Sequence, residues 1–203
     1  MKLKQLYPLG CMTIAIVALA SCGDDSKKNQ SEGTTKVNQI DVIKKSAGTI
    51  NTTINLMETT PISFEALEDW FPENLLDLQL ETVEKGSLSA NGITSMVGHY
   101  KGANNESFDL LINDAAGKNG SIVVGSFSMY KNMKVDREDD YKLETSFKNG
   151  KLGGIETFHK KSKESMISGM YGDRFAIVIS SKHMERDMVW SAIEKLPFNN
   201  LTN

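Results

Sequence analysis

The sequence predicts an α+β fold: a mainly antiparallel sheet of about six strands, packed with N-terminal, middle and C-terminal helices. Three observations carry this. The segment 37–57 repeats apolar residues at helical spacing. From Gly86 onward, short apolar runs alternate with turn residues at strand spacing. A last amphipathic stretch, Met184 to Leu196, ends at Pro197, which cannot continue a helix.

Taken in order, Ile40, Ile43, Ala47, Ile50, Ile54 and Met57 fall at the a and d positions of three heptads. The stretch suits either a helix covering the sheet or a short coiled-coil seam between copies. Gly48 and the pair Thr52-Thr53 lower its intrinsic helicity, so it needs a packing partner. Thr60-Pro61 breaks the chain. Ser63 is placed to cap a short helix carrying Phe64, Leu67, Trp70 and Phe71 toward Pro72, with Glu65 in its first turn. Asn74 to Glu84 is ambiguous between a second helix and a link into the sheet.

"TSMVGHYKG" and "SFDLLIND" predict two strands joined by a loop holding Gly102, Asn104 and Asn105. Gly120 to Met133 suits a helix better than a strand, with Ile122, Val123, Phe127, Tyr130 and Met133 as its apolar positions. "YKLETSF" alternates cleanly, and Asn149-Gly150 supplies a type I′ hairpin turn. "LGGIETFH", "ESMISGMYG" and "DRFAIVIS" follow, the last apolar enough for a central position. In the final helix, Met188, Trp190, Ile193 and Leu196 are available to the core.

The first residues give an address. Lys2 and Lys4 precede an apolar run from Leu9 to Ala20, and small residues Ala18, Ala20 and Ser21 stand before Cys22. That is the pattern of an export signal. The run falls short of the roughly 20 apolar residues a spanning helix needs. Leu19-Ala20-Ser21-Cys22 resembles the lipobox of bacterial lipoproteins. The resemblance implies cleavage between Ser21 and Cys22, lipidation of Cys22, and an anchor that holds the chain to a membrane without spanning it. Several acyl chains on one cysteine hold far more firmly than one, at about 0.8 kcal/mol per buried methylene. The pair Asp24-Asp25 directly after the cysteine resembles the acidic export signal of surface lipoproteins in the Bacteroidota, which implies an outer-membrane anchor in the cell envelope.

The expected organisation is therefore residues 1–21 as signal peptide, 22–36 as lipidated cysteine and tether, and 37–203 as one domain. Gly23 to Lys36 lacks any apolar residue and reads as a disordered tether reaching roughly 20 Å. Cys11 leaves with the signal and Cys22 becomes the anchor, so neither a disulfide nor a cysteine nucleophile is expected in the domain. Loss of the signal removes two of the 23 basic residues and none of the 26 acidic ones, which deepens a net charge of −3. That balance argues against nucleic acid as a partner. The element order and the "RFAIVIS"-then-helix ending resemble the PsbP-like fold of small extracytoplasmic modules.

The search for chemistry is mostly negative. No G-x-S-x-G, Walker A, H-E-x-x-H or C-x-x-C pattern is present. His99, His159 and His183 stand far apart in sequence, so no local metal pair exists. In "DREDD", Asp136, Glu138 and Asp140 alternate as in a calcium loop, but Tyr141 and Phe147 stand where glycine and glutamate are needed. No metal or cofactor is expected, and no catalytic residue. Trp70, Phe71 and Trp190 are large enough to line a ligand pocket or an interface, although helical spacing favours the core. Ten methionines make a soft apolar cavity conceivable in the second half. The expectation is a non-enzymatic, membrane-anchored lipoprotein serving an envelope protein assembly. The alternative is a module for an apolar or amphipathic small ligand.

Overall fold

One helix dictates the topology. In the computed structural model, which describes residues 39–202, the strands β1 (Asn74–Leu75), β2 (Leu78–Lys85), β3 (Ser95–Lys101) and β4 (Ser107–Asp114) form an antiparallel meander. Helix α3 (Gly117–Asn132) then carries the chain away. It starts a second meander: β5 (Asp136–Glu138), β6 (Lys142–Asn149), β7 (Leu152–His159), β8 (Glu164–Tyr171) and β9 (Phe175–Lys182). β9 returns to pair with β4, giving the order β1-β2-β3-β4-β9-β8-β7-β6-β5. The step from β4 to β5 crosses five strand spacings of about 4.8 Å, or about 24 Å. The 16 residues of α3 rise about 1.5 Å each, again about 24 Å. The helix is as long as the gap it bridges.

All six expected strands are present, and "DRFAIVIS" is central as β9. The expected count of about six is corrected to nine. β1 and β2 resolve the ambiguous stretch as a hairpin. Leu75 and Leu78 pair across a two-residue turn in which Leu76 takes φ 56°. A leucine in that conformation gives no warning in sequence. β5 lies inside the acidic run whose alternation resembles a calcium loop. Its Asp136, Arg137 and Glu138 are all exposed, so backbone pairing alone makes it a strand, and its charges suit an edge. The hairpin turn after β6 centres on Gly150-Lys151, one residue later than expected, because Asn149 still pairs with Leu152. Gly150 takes the left-handed φ of 59°.

The sheet has two unlike faces. One carries Tyr100, Phe108, Leu110, Ile112, Ile167, Ile177 and Ile179, all fully buried. Over it lie α2 (Phe64–Glu68), α4 (Arg186–Lys195) and the last turn Phe198–Thr202. Ser63 caps α2 as expected, its hydroxyl accepting from Ala66 N–H at 3.1 Å. In α4, Val189, Ala192 and Ile193 are buried, whereas Met188 and Trp190 are only partly so.

Two buried carboxylates pin this layer. Glu156, fully buried on β7, accepts from Arg186 Nε and Nη2 at 3.0 and 2.7 Å and from Trp190 Nε1 at 3.1 Å. Asp114 closes β4. It accepts from the N–H groups of Ile62 (2.8 Å) and Ala116 (2.9 Å) and from Arg174 Nε and Nη2 (2.7 Å each).

The other face is covered at one end only. There α3 packs Val123 and Val124 with Ile93, Ala115 and Ala176. Helix α1 (Gln39–Glu58) does not touch down on the sheet as its main support; it lies along α3, with Leu56 in the same small cluster.

Candidate functional site

Beyond α3, half of this second face is open. Strand alternation places Val97, Leu111, Val178, Ser168, Ile155 and Ser146 in one continuous row across β3, β4, β9, β8, β7 and β6. Every one of these is half-buried, while on β3, β4, β9, β8 and β7 the residues beside them that point to the opposite face are buried. The next row runs Thr82, His99, Asp109, Ser180, Met166, Thr157 and Glu144, each directly paired with its neighbour. An apolar band thus borders a polar one on an uncovered sheet.

Four residues of this region form a hydrogen-bonded line. Ser180 Oγ donates to Asp109 Oδ2 at 3.4 Å. His99 Nδ1 lies 2.7 Å from Asp109 Oδ1, and His99 Nε2 lies 3.4 Å from Glu84 Oε1. A neutral imidazole has one N–H, but both its neighbours are carboxylates that only accept. Only the imidazolium satisfies both. Partial burial pushes the His99 pKa down. The hydrogen bond and charge of Asp109, with smaller help from Glu84, outweigh it and hold the value above the ordinary 6.5.

The order of groups limits the chemistry. Ser180 touches the carboxylate and not the imidazole, so within this line the imidazole does not face the hydroxyl as a base faces a nucleophile. The two carboxylates bind opposite nitrogens of one ring and do not converge on a common point. Among the described residues no cluster of three or more His, Cys, Asp or Glu side chains could hold a metal ion. The line is a charge ladder across four strands. His99 and Asp109 each stand five residues from Asn104, so a hairpin centred on that residue was the one sequence signal that pairs them.

A second feature borders this face. The 3₁₀ turn Ser87–Asn91 and α3 enclose a groove of about 530 Å³ lined by Leu88, Ile93, Val123 and Phe127, with Asn91, Asn119 and Ser126 contributing polar groups.

The three aromatics large enough for a pocket or an interface lie elsewhere, in or against the core as their helical spacing favours. Trp70 and Phe71 are buried in the main core, edge to face at 5.5 Å. Trp70 Nε1 donates to Pro197 O at 3.0 Å, and Phe71 fills the space over Gly98. Trp190 packs edge-on against Phe147 at 4.8 Å and donates to Glu156. All three sit on the covered face, away from the open rows and from the groove. His159 and His183 are exposed on separate elements. Asp139 folds back to accept from Tyr141 and Lys142 N–H at 2.8 Å each, and these backbone bonds lower its pKa. Ser21 and Cys22, with the signal and tether, lie outside the described residues.

No family model matches the chain, and no curated protein or solved structure matches it.

Proposed function

We propose that this chain is a membrane-anchored, extracytoplasmic lipoprotein, held to the outer membrane through Cys22, that works by protein contact as an accessory module of an envelope assembly and not by turnover. The observation behind this reading is the open half of the sheet. Four strands contribute the half-buried apolar side chains Val97, Leu111, Val178 and Ile155 to one row, which lies beside a mostly polar row holding His99, Asp109 and Glu144. An apolar centre with a polar border is the anatomy of a protein interface. The histidine there is engaged by two carboxylates, which orders the surface without arming a nucleophile.

Native mass spectrometry of the tagged chain, gently extracted from its own membrane, tests this. The expected result is a diacylated or triacylated Cys22 and a stoichiometric protein companion that Val178→Arg releases. An unmodified, uncut chain removes the anchor reading. A companion indifferent to Val178→Arg, or none at all, removes the assignment of the open face.

A second reading has its own observation, the groove between Ser87–Asn91 and α3. Its volume and mixed lining suit an apolar or amphipathic small molecule with a short polar head. A small co-purifying mass lost on Val123→Trp supports it.

A further inference from the structure

An amphipathic helix normally buries its apolar stripe, yet α1 does the reverse. Its contact with the domain runs through buried Leu56, which packs with Val123 and Val124 of α3, and half-buried Thr52, which lines a hollow with Val124 and Ser128. Ile50, Ile54 and Met57, spaced i, i+4 and i+7, remain 58%, 50% and 43% exposed. They continue the heptad positions of Ile40, Ile43 and Ala47 on the same 20-residue helix. The domain leaves Ile50, Ile54 and Met57, the described part of this stripe, uncovered. Leu56 clusters with Ala115, which precedes α3, and with Val123 and Val124 in its first half, whereas exposed Gly48 lines a hollow shared with Lys131 and Asn132 at its end. The two helices are therefore antiparallel, and α1 runs on past the end of α3 by about 13 Å at 1.5 Å per residue.

We propose that this seam is an interaction surface for a second copy of the chain, the two α1 helices pairing antiparallel. A strict 3.5-residue apolar repeat is the mark of a helix–helix seam. The positions match in that register: Ala47 falls opposite Ile50, Ile43 opposite Ile54 and Ile40 opposite Met57, so every a position meets a d. The flanking e and g positions carry two charges, Lys44 and Glu58, of opposite sign and near opposite ends. Antiparallel pairing brings the lysine end of one helix alongside the glutamate end of the other, and a parallel pair would bring like ends together. A membrane surface is the poorer fit. Helices that lie on lipid carry basic residues on the polar face and aromatics on the apolar one. Beside its exposed stripe α1 has Asn51, Thr52, Thr53 and Asn55, and it holds no aromatic.

The proposal does not depend on the anchor or on the open sheet face, and its test is separate. Two differently tagged full-length chains are co-expressed, one with Ala47→Cys and the other with Ile50→Cys. Mild oxidation of the membranes should give a cross-linked pair carrying both tags, absent from the parent chains. Native mass spectrometry of the extracted parent should show a dimer. Ile54→Glu, which removes two buried isoleucines per dimer, should weaken it about 100-fold or more while leaving the thermal midpoint of the domain unchanged, because Ile54 is half exposed in the single chain. A monomeric parent, a dimer that survives Ile54→Glu, or absence of the Ala47–Ile50 cross-link overturns the proposal.

Discussion

Asp114 offers the sharpest test of how this fold is held. Its carboxylate has no solvent exposure and accepts four N–H bonds, two from the backbone at Ile62 and Ala116 and two from Arg174. Through them it joins the end of β4, the entry to α3, the start of β9 and the segment before α2. Arg174 also donates to Thr60 O at 3.2 Å, so the guanidinium ties the same segment from its other side. Replacing Asp114 with Asn preserves shape and removes the charge. One oxygen becomes an NH₂, which then points its hydrogens at the Ile62 N–H or at the arginine. Breaking a buried charge pair in this way costs about 3–5 kcal/mol. For a domain of this size that lowers the melting temperature by roughly 6–20 °C. Thermal and urea unfolding followed by circular dichroism measure it. Lys131→Ala, which breaks the exposed pair with Asp173 at 2.7 Å, is the control and should cost about 1 kcal/mol or less. If Asp114→Asn falls within about 1 kcal/mol of the parent, the four bonds are not what holds this corner, and the reasoning is refuted.

Other substitutions probe other layers. Gly98→Val places a side chain against the Phe71 ring, which an added Cβ already meets. It should destabilise by about 1–3 kcal/mol through overpacking, and Phe71→Leu in the same chain should recover part of the loss. Trp190→Phe keeps the packing on Phe147 but deletes the bond to Glu156, at about 1–3 kcal/mol with a buried acceptor left short of a donor. His99 should titrate above 6.5 by NMR. Because its folded pKa is raised, its stabilising contribution is complete below pH 6.5 and fades as pH rises through the folded value. His99→Gln should flatten that part of the stability–pH curve, and an unchanged curve would show that Asp109 and Glu84 do not engage the imidazolium.

Much of the architecture was legible in the chain because it rests on local rules. Period-2 runs marked six strands, Ser63 announced its helix, and Pro197 ended the last one. These signals need no knowledge of distant residues. The three strands that escaped notice depend on something else. β5 owes its existence to the backbone of β6, and the β1–β2 hairpin turns on a left-handed Leu76. Neither leaves a trace in hydrophobic pattern. The aromatic residues show the same limit. Size and spacing marked Trp70, Phe71 and Trp190 as notable, but only the packing directs them to the covered face.

What the sequence determined by itself is the menu of elements and the apolar repeat of 40–57, since both follow from spacing along one chain. What tertiary structure alone decided is which surfaces remain open. One helix about 10 Å across, laid over one end of strands about 25 Å long, leaves half of one face bare, and the packing of α1 through Thr52 and Leu56 leaves Ile50 and Ile54 outward. The line Glu84, His99, Asp109 and Ser180 likewise exists only because four strands bring together residues up to 96 positions apart, from 84 to 180. Exposure is a property of how finite elements cover one another, and no single segment encodes it.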